Sequence, residues 1–281
     1  MRSSASDVSL TRSARSLAQL MDLSGRKALV TGGAGHLGSM ICETLTELGA
    51  NVAVLDQDAA AVEQQVKALG ESSKGGRAIA LPCDLRNEQA TRRAIREARE
   101  AMGGLGILIH CAAHVGTTQA PGWAVPFDQQ TVAAWNAALQ VNVTSAFVMT
   151  QEAKPALLDS GHGTVIFLAS IYGMAAPDPR LYEGTDLANP AAYGVSKAGL
   201  LQLTRYLATT LAPHVRVNAI TPGGIWRDQP EVFHQRYVTR TPLGRMGTEE
   251  DVKGAVAYLA SDLSAYVTGQ NLIVDGGWTA W

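Results

Sequence analysis

The sequence is short of cysteine, of net charge and of long apolar runs. Its three cysteines, Cys42, Cys83 and Cys111, are odd in number and sit inside apolar stretches. That argues against a secreted disulfide framework and for buried thiols in a reducing compartment, so a cytoplasmic location is expected. The chain carries 23 basic and 25 acidic residues without single-sign blocks, for a net charge of -2. This offers no electrostatic footprint for nucleic acid or membrane and leaves a small molecule as the expected partner. No run approaches the ~18 apolar residues needed to span a bilayer. No internal repeat, low-complexity tract or second domain is visible either.

What is present is a chain of 281 residues, 46% apolar, with 28 glycines among many alanines and valines. That length suffices to bury one core, and the composition suits short strands alternating with closely packed helices. Residues 1–22 read as an N-terminal extension and 23–281 as the single domain. Within the extension, Arg2, Arg12 and Arg15 stand among serines in a manner that resembles a transit peptide. Asp7 and the lack of a sustained arginine face oppose that reading. The extension is then either poorly ordered or a helix docked on a neighbouring subunit.

Apolar periodicity predicts strands over 27–31, 51–55, 78–81, 106–111, 164–169, 215–220 and 271–274. Helices are predicted over 36–48, 59–69, 88–102, 131–158, 191–211 and 249–259. The least regular segments are 173–190 and 224–247. Strands separated by helices pair in parallel with right-handed crossovers, so the fold class expected is α/β, one doubly wound, Rossmann-like domain with a seven-stranded parallel sheet. Its ligand belongs beyond the carboxyl ends of the strands, where strand order reverses. Asp56, Asp84, Cys111, Ser170 and Thr221 fall at such ends.

Thr31-Gly32-Gly33-Ala34-Gly35-His36-Leu37-Gly38 follows the first strand and opens the first helix of the domain. There, backbone N–H groups and the helix dipole can face a pyrophosphate, and glycine lets the ligand approach without a Cβ in the way. Asp56 ends the second strand, where a carboxylate accepts from adenosine ribose hydroxyls and repels a 2′-phosphate. With no basic residue immediately beside it, the expected cofactor is NAD. Asp56 or Asp58 also reads as an ordinary cap for the following helix.

Tyr193-Gly194-Val195-Ser196-Lys197 opens a helix, so Tyr193 and Lys197 lie four apart on one face. A free phenol titrates near ~10, and a base working near neutrality needs about 4 kcal/mol of phenolate stabilisation. An ammonium about 4 Å away at an effective dielectric of 20 supplies about that much. Lys197 is therefore expected to lower the Tyr193 pKa.

These elements together are similar to the short-chain dehydrogenase/reductase family, in its compact branch: the turn after Thr31, Asn142 within Asn142-Val143-Thr144, Ser170 at a strand end, the Tyr193/Lys197 pair, and Pro222-Gly223. The resemblance covers roughly 23–277 and includes the terminal Gly269-Gln270-Asn271-Leu272-Ile273-Val274-Asp275-Gly276-Gly277. It implies an enzyme moving a hydride between NAD and an alcohol/carbonyl pair. Ser170 then bonds the substrate oxygen, Tyr193 moves its proton, Lys197 holds the nicotinamide ribose, and Asn142 fixes a helix kink and a relay water. It further implies cofactor contacts from Gly32, Gly35, His36, Leu37, Gly38, Asp56, Ala112, Tyr193 and Lys197, with Asp84 and Leu85 flanking the adenine and Pro222, Gly223 and Ile225 holding the carboxamide side. A homotetramer follows, its long helices around Asn142 and Tyr193 packing between subunits, with Trp278 and Trp281 near another interface.

The chain also departs from the family. His36 replaces the usual middle glycine of the turn, and His110-Cys111-Ala112-Ala113 replaces Asn-Asn-Ala-Gly, with His110 then taking the place of a cofactor contact. His110, Cys111 and His114 could suggest a metal, but no further matching ligand stands nearby, and none is expected. Ser170 and Tyr193 are also further apart than is usual in compact members. The extra segment, 174–189, holds Asp178, Arg180, Tyr182, Glu183 and Asp186 and is expected to border the substrate.

Ser170-Ile171-Tyr172-Gly173 and the segment 223–230 resemble oxidoreductases encoded with nonulosonic-acid and surface-glycan pathways, which implies a sugar-like, polar hydroxylated substrate. Arg227, Arg236 and Arg240 could clamp a phosphate or carboxylate on it, or be solvated. An apolar ketone is the competing substrate. An NAD-binding regulatory module without turnover is the reading from another class, opposed by the intact Asn142, Ser170, Tyr193 and Lys197.

Overall fold

The computed structural model describes residues 14–72, 76–115, 118 and 120–281; Arg2, Asp7 and Arg12 lie outside them. Seven strands form one parallel sheet: β1 (Lys27–Thr31), β2 (Asn51–Asp56), β3 (Ala78–Pro82), β4 (Ile107–His110), β5 (Gly163–Leu168), β6 (Val215–Pro222) and β7 (Asn271–Val274). Their order is β3-β2-β1-β4-β5-β6-β7. The chain winds outward from β1 to β3, then returns to the other side of β1 to lay down β4. The order therefore reverses between β1 and β4, and a crevice opens beyond Thr31 and His110.

The inner strands are largely apolar and buried, as helices cover both faces of the sheet. Alternation still sorts their side chains. Ala28, Val30, Ile107 and Ile109 pack with α2 (His36–Glu47), α3 (Ala59–Ser72) and α9 (Glu250–Ala260), through Ile41, Leu45, Val62, Val252 and Val256. Leu29 and Leu108 face the opposite layer, α4 (Glu88–Met102), α6 (Ser145–Asp159) and α7 (Ala191–Thr210), through Ile95, Met149, Leu157, Leu200 and Leu207.

The helix read over 131–158 has a break that its apolar pattern does not reveal. Thr131 caps α5 (Val132–Leu139), accepting from the Ala134 N–H at 3.2 Å. A π-helical turn at Gln140–Thr144 then precedes α6. One segment expected to be irregular contains α8 (Glu231–Thr239), opened by Pro230 and Glu231 and anchored by buried Phe233 and Tyr237. Proline before the first helical residue, an acid in the first turn and aromatics four apart are ordinary helix signals.

Two further findings concern the ends of the chain. Leu17–Met21 forms a short helix, α1, with a Ser16/Gln19 capping box, and it rests on this chain's own 262–264 turn. Arg15 and Arg26 both pair with Asp262, at 2.5 and 2.6 Å. At the other end, Trp278 is not an exposed aromatic. It is 5% exposed, stacked on Tyr237 at 5.8 Å, edge-on to Tyr172 at 6.2 Å, and capped by the Arg240 guanidinium at 5.1 Å. Trp281 is 79% exposed. A small aromatic core thus stands above the carboxyl edge of the sheet, joining α8, the inserted segment after Ser170 and the C-terminal residues.

Candidate active site

The turn after β1 is closed to side chains. A Cβ on Gly38 would lie 1.8 Å from the Gly32 carbonyl oxygen, and Gly32, at φ +64°, would place one 2.8 Å from the Ala112 Cα. The Thr31 hydroxyl accepts from the Cys111 and Ala112 N–H groups, each at 3.1 Å, and so ties the end of β4 to this turn. A cavity of about 310 Å³ runs from Gly32, Gly35, His36, Leu37 and Gly38 past Asp56 to Asp84, Leu85 and Ala112. The Asp56 carboxylate is oriented by the Gln57 N–H at 2.7 Å and the Ala34 N–H at 3.3 Å.

A basic residue does enter this cavity. Arg86 lines it and forks onto Asp84, with Nε–Oδ1 at 3.0 Å and Nη2–Oδ2 at 2.7 Å. The hydrogen bond from Arg86 holds the Asp84 carboxyl below its ordinary range. Sequence adjacency to Asp56 could not show Arg86, which the pairing of β2 with β3 brings across.

His110 is placed otherwise than expected. It is 1% exposed and lines neither cavity. Its Nε2 lies 2.7 Å from the Ser145 hydroxyl, which donates to the Val141 carbonyl at 2.6 Å. Because that hydroxyl hydrogen is already engaged, Nε2 carries the imidazole hydrogen. Nδ1 has no partner among the described residues. The ring faces the core because β4 ends there with Phe167 beside it. Among the described residues, no three His, Cys, Asp or Glu side chains converge as a metal site.

A second cavity, of about 290 Å³, holds Ser170, Tyr193, Lys197, Pro222, Gly223 and Ile225, and shares Leu37, Cys111, Ala113, Val115 and Arg227 with the first. The two form one continuous cleft. Ser170 follows β5 in extended conformation and its hydroxyl accepts from the Tyr172 N–H at 3.2 Å, so it also caps a turn. Tyr193, in the first turn of α7, is hydrogen-bonded to Ser170. Lys197, one turn on and 3% exposed, donates from Nζ to the Leu168 carbonyl at 2.7 Å and lies 5.7 Å from the Tyr193 ring centroid.

In the free chain the expected lowering of Tyr193 does not occur. Burial pushes its phenol above the usual value, against the opposing Ser170 hydrogen bond. The same burial lowers the Lys197 ammonium to about 8. The lysine points at a main-chain carbonyl rather than at the phenol oxygen, and desolvation outweighs its field.

Asn142 does not line the cleft and is fully buried in the π-helical turn. Its Oδ1 accepts from the His114 N–H at 2.7 Å, and its Nδ2 donates to the Ser196 hydroxyl at 2.9 Å and the His114 carbonyl at 3.3 Å. It lies in the π-helical turn, where the kink was expected, and ties that turn to His114 and Ser196.

Several of the charged residues expected at the substrate have other partners. Asp178 is held by Arg180 at 2.7 Å and also by Arg240, and Arg236 donates to the Glu183 carbonyl at 2.5 Å. Arg227 reaches the cleft but pairs with Glu249 at 2.9 Å. The cleft is walled instead by Tyr172, Tyr182, Leu187, Asn189, Phe233 and Tyr237. Tyr182, Leu187 and Asn189 belong to the inserted segment expected to border the substrate and Tyr172 to the segment after Ser170, whereas Phe233 and Tyr237 have no counterpart in the sequence reading.

A family model described as Enoyl-(Acyl carrier protein) reductase matches residues 32–279. The 2,5-dichloro-2,5-cyclohexadiene-1,4-diol dehydrogenase LinX of Sphingobium indicum is 31% identical over 265 residues, 92% of this chain and 97% of that protein. Galactitol 2-dehydrogenase (L-tagatose-forming) of Cereibacter sphaeroides is 32% identical over 92% of this chain and 97% of its own length. The structure of a short chain dehydrogenase from Leptospira borgpetersenii with bound NAD+ superposes with a TM-score of 0.80 at 32% identity, over 95% of this chain and 97% of that one. The chain belongs to the short-chain dehydrogenase/reductase family and is an oxidoreductase of it.

The buried His110 makes stability depend on pH. Burial lowers its pKa from 6.5 to about 3, so below pH 6.5 the unfolded chain binds a proton that the folded chain refuses. Stability from this residue is complete above pH 6.5 and falls by about 2 kcal/mol between pH 7 and pH 5. Urea unfolding at those two values is expected to show a smaller loss for His110→Asn than for the wild type, whatever the absolute stabilities. Equal losses would show that His110 is not held neutral.

Proposed function

We propose that the protein is an NAD(H)-dependent dehydrogenase/reductase of secondary alcohols and ketones on a compact, uncharged, hydroxylated body such as a sugar or cyclic polyol. The observation that carries this reading is the continuous cleft with the closed glycine turn and Asp56 at one end and Ser170, Tyr193 and Lys197 at the other. The turn excludes side chains where a pyrophosphate would lie against backbone N–H groups. Gly32, Gly35, His36, Leu37 and Gly38 would hold the phosphates. Asp56 would take the adenosine ribose, Asp84, Leu85 and Ala112 the adenine side, and Tyr193 and Lys197 the nicotinamide ribose. Pro222, Gly223 and Ile225 would hold the carboxamide. Asp56 repels a 2′-phosphate, and Arg86, engaged by Asp84, is poorly placed to neutralise one, so NAD is preferred.

Bound nicotinamide supplies or accepts the hydride. Ser170 donates its hydroxyl hydrogen to the substrate oxygen and fixes it against Tyr193. The buried Tyr193 phenol is protonated in the free chain and gives its proton to the oxygen as a carbonyl is reduced. Alcohol oxidation requires the phenolate, which the Ser170 hydrogen bond favours and which the Lys197 ammonium, charged below about pH 8, would favour by its positive field.

The uncharged body is supported by the engagement of Arg227, Arg236 and Arg240 with Glu249, Glu183 and Asp178. The hydroxylated character is in keeping with the diol and galactitol in the relatives' names and with the glycan-associated resemblance. Ile171, Leu187, Phe233 and Met246 in the wall favour the second reading, an apolar ketone. The half-exposed Phe147, Val195 and Tyr206 on α6 and α7 support a homotetramer packed through these helices, and the free, largely buried cysteines are in keeping with a cytoplasmic location.

Tyr193→Phe is expected to keep its affinity for NADH in calorimetric titration while losing at least ~100-fold in turnover. Turnover near the wild-type rate would remove Tyr193 from the proton step. Titration with NADH and NADPH is expected to favour NADH, and Asp56→Ala to narrow the difference; an unchanged ratio would assign cofactor choice elsewhere. Light scattering is expected to give four chain masses, and a monomer would contradict the packing assigned to α6 and α7.

A further inference from the structure

The substrate half of the cleft is mostly apolar, which makes its few polar groups decisive. Three of them cluster beside the catalytic serine. The Tyr172 and Tyr182 hydroxyls lie 2.7 Å apart, and the Asn189 side-chain nitrogen lies 3.5 Å from the Tyr182 hydroxyl. All three residues line the cavity that holds Ser170, Tyr193 and Lys197.

Hydrogen counting shows what this cluster has to offer. Two phenols carry one hydrogen each and a primary amide carries two, four in all. The two contacts within the cluster use two of them, whichever phenol donates and whichever way the amide is turned. No other partner for these three side-chain groups is found among the described residues. Two hydrogens remain, in a cleft whose nearby guanidinium and amide side chains are each tied to another residue. Arg227 is held by Glu249, and Gln229 both donates to the Ile225 carbonyl and accepts from the Arg227 N–H.

The cluster is also fixed relative to the reacting centre. The Tyr172 N–H donates to the Ser170 hydroxyl at 3.2 Å, and the Tyr172 ring is braced edge-on by Trp278 at 6.2 Å. Tyr182 packs against Phe233 at 5.5 Å. A donor set held this way sits at a constant offset from an oxygen bound by Ser170 and Tyr193. We infer that Tyr172, Tyr182 and Asn189 bind a second, uncharged oxygen of the substrate, so that the enzyme selects diols and hydroxyketones over alcohols and ketones with one oxygen. The inference rests on the dehydrogenase/reductase reading above and adds the specificity-determining residues. A substrate lacking that oxygen leaves these donors desolvated without an acceptor, and the site discriminates against it.

The test is NADH-dependent reduction of paired ketones that differ by one hydroxyl: cyclohexanone against 2-hydroxycyclohexanone, and butanone against 3-hydroxybutanone. The wild type is expected to favour the hydroxylated member by at least about tenfold in kcat/KM, about 1.4 kcal/mol, with the difference carried mainly by KM. In the Tyr172→Phe/Tyr182→Phe double variant the ratio is expected to fall toward one. Either single Phe variant retains one phenol and an intermediate ratio. Asn189→Leu, which leaves the aromatic core untouched, is expected to lower the ratio by itself and serves if the double variant does not fold. Reduction of both members of each pair at equal efficiency would overturn this inference and leave the dehydrogenase reading standing. A preference unchanged in the double variant, or in Asn189→Leu where the double variant does not fold, would overturn the assignment to these residues. Reduction of no ketone in either pair would overturn both readings together.

Discussion

The cleft depends on the amide of Asn142. Placed where a continuous helix would run, it bonds both main-chain groups of His114 and the hydroxyl of Ser196, which itself donates to the Tyr193 carbonyl at 2.7 Å. One buried side chain therefore joins the loop after β4, the π-helical turn, and the first turn of α7. A buried amide left without such partners costs more than its bonds contribute, so this set holds together or loosens together. Tyr193 and Lys197 are thus located by a residue that does not line the cleft.

Around this anchor the cleft divides its chemistry by surroundings. The end near Asp56 carries oriented carboxylates and backbone N–H groups. The other end is walled by aromatic side chains from three separate parts of the chain, which meet in a small core above the sheet. Desolvation there acts on both members of the Tyr193/Lys197 pair, favouring the neutral phenol and weakening the ammonium's hold on its proton. A four-residue spacing brings the two polar ends to one point only if both side chains aim there. The structure instead turns Lys197 toward the Leu168 carbonyl, where it braces the strand that carries Ser170.

Much of the scaffold was legible in the chain. Seven apolar runs separated by helical periods leave few alternatives to a parallel sheet, and all seven appear as strands within a residue or two of the ranges read for them. The glycine turn was equally legible, since a strand, a tight turn and a helix in that order need glycine at Gly32 and Gly38 for steric reasons alone. Less legible were α8, whose short amphipathic period sits among prolines and glycines, and the kink at Asn142, which leaves the apolar period intact. His110 was misplaced because a residue at the end of a strand can face the crevice or the layer beneath it. Only the packing of Ser145 and Phe167 decides between them.

By itself, the sequence determined the sheet, the direction of its strands, the edge at which the crevice opens, and the positions of Ser170, Tyr193 and Lys197 along that edge. These follow from local periodicity, sterics and chain connectivity, which depend on near neighbours. Tertiary structure alone decided which polar side chains face the cleft. Asp178 of the inserted segment is met by Arg240 and the Glu183 carbonyl by Arg236, each more than fifty residues away in the chain, while Tyr172, Tyr182 and Asn189 are left with hydrogens to give. Such pairing depends on which charges meet in space, and a linear order of residues does not contain it.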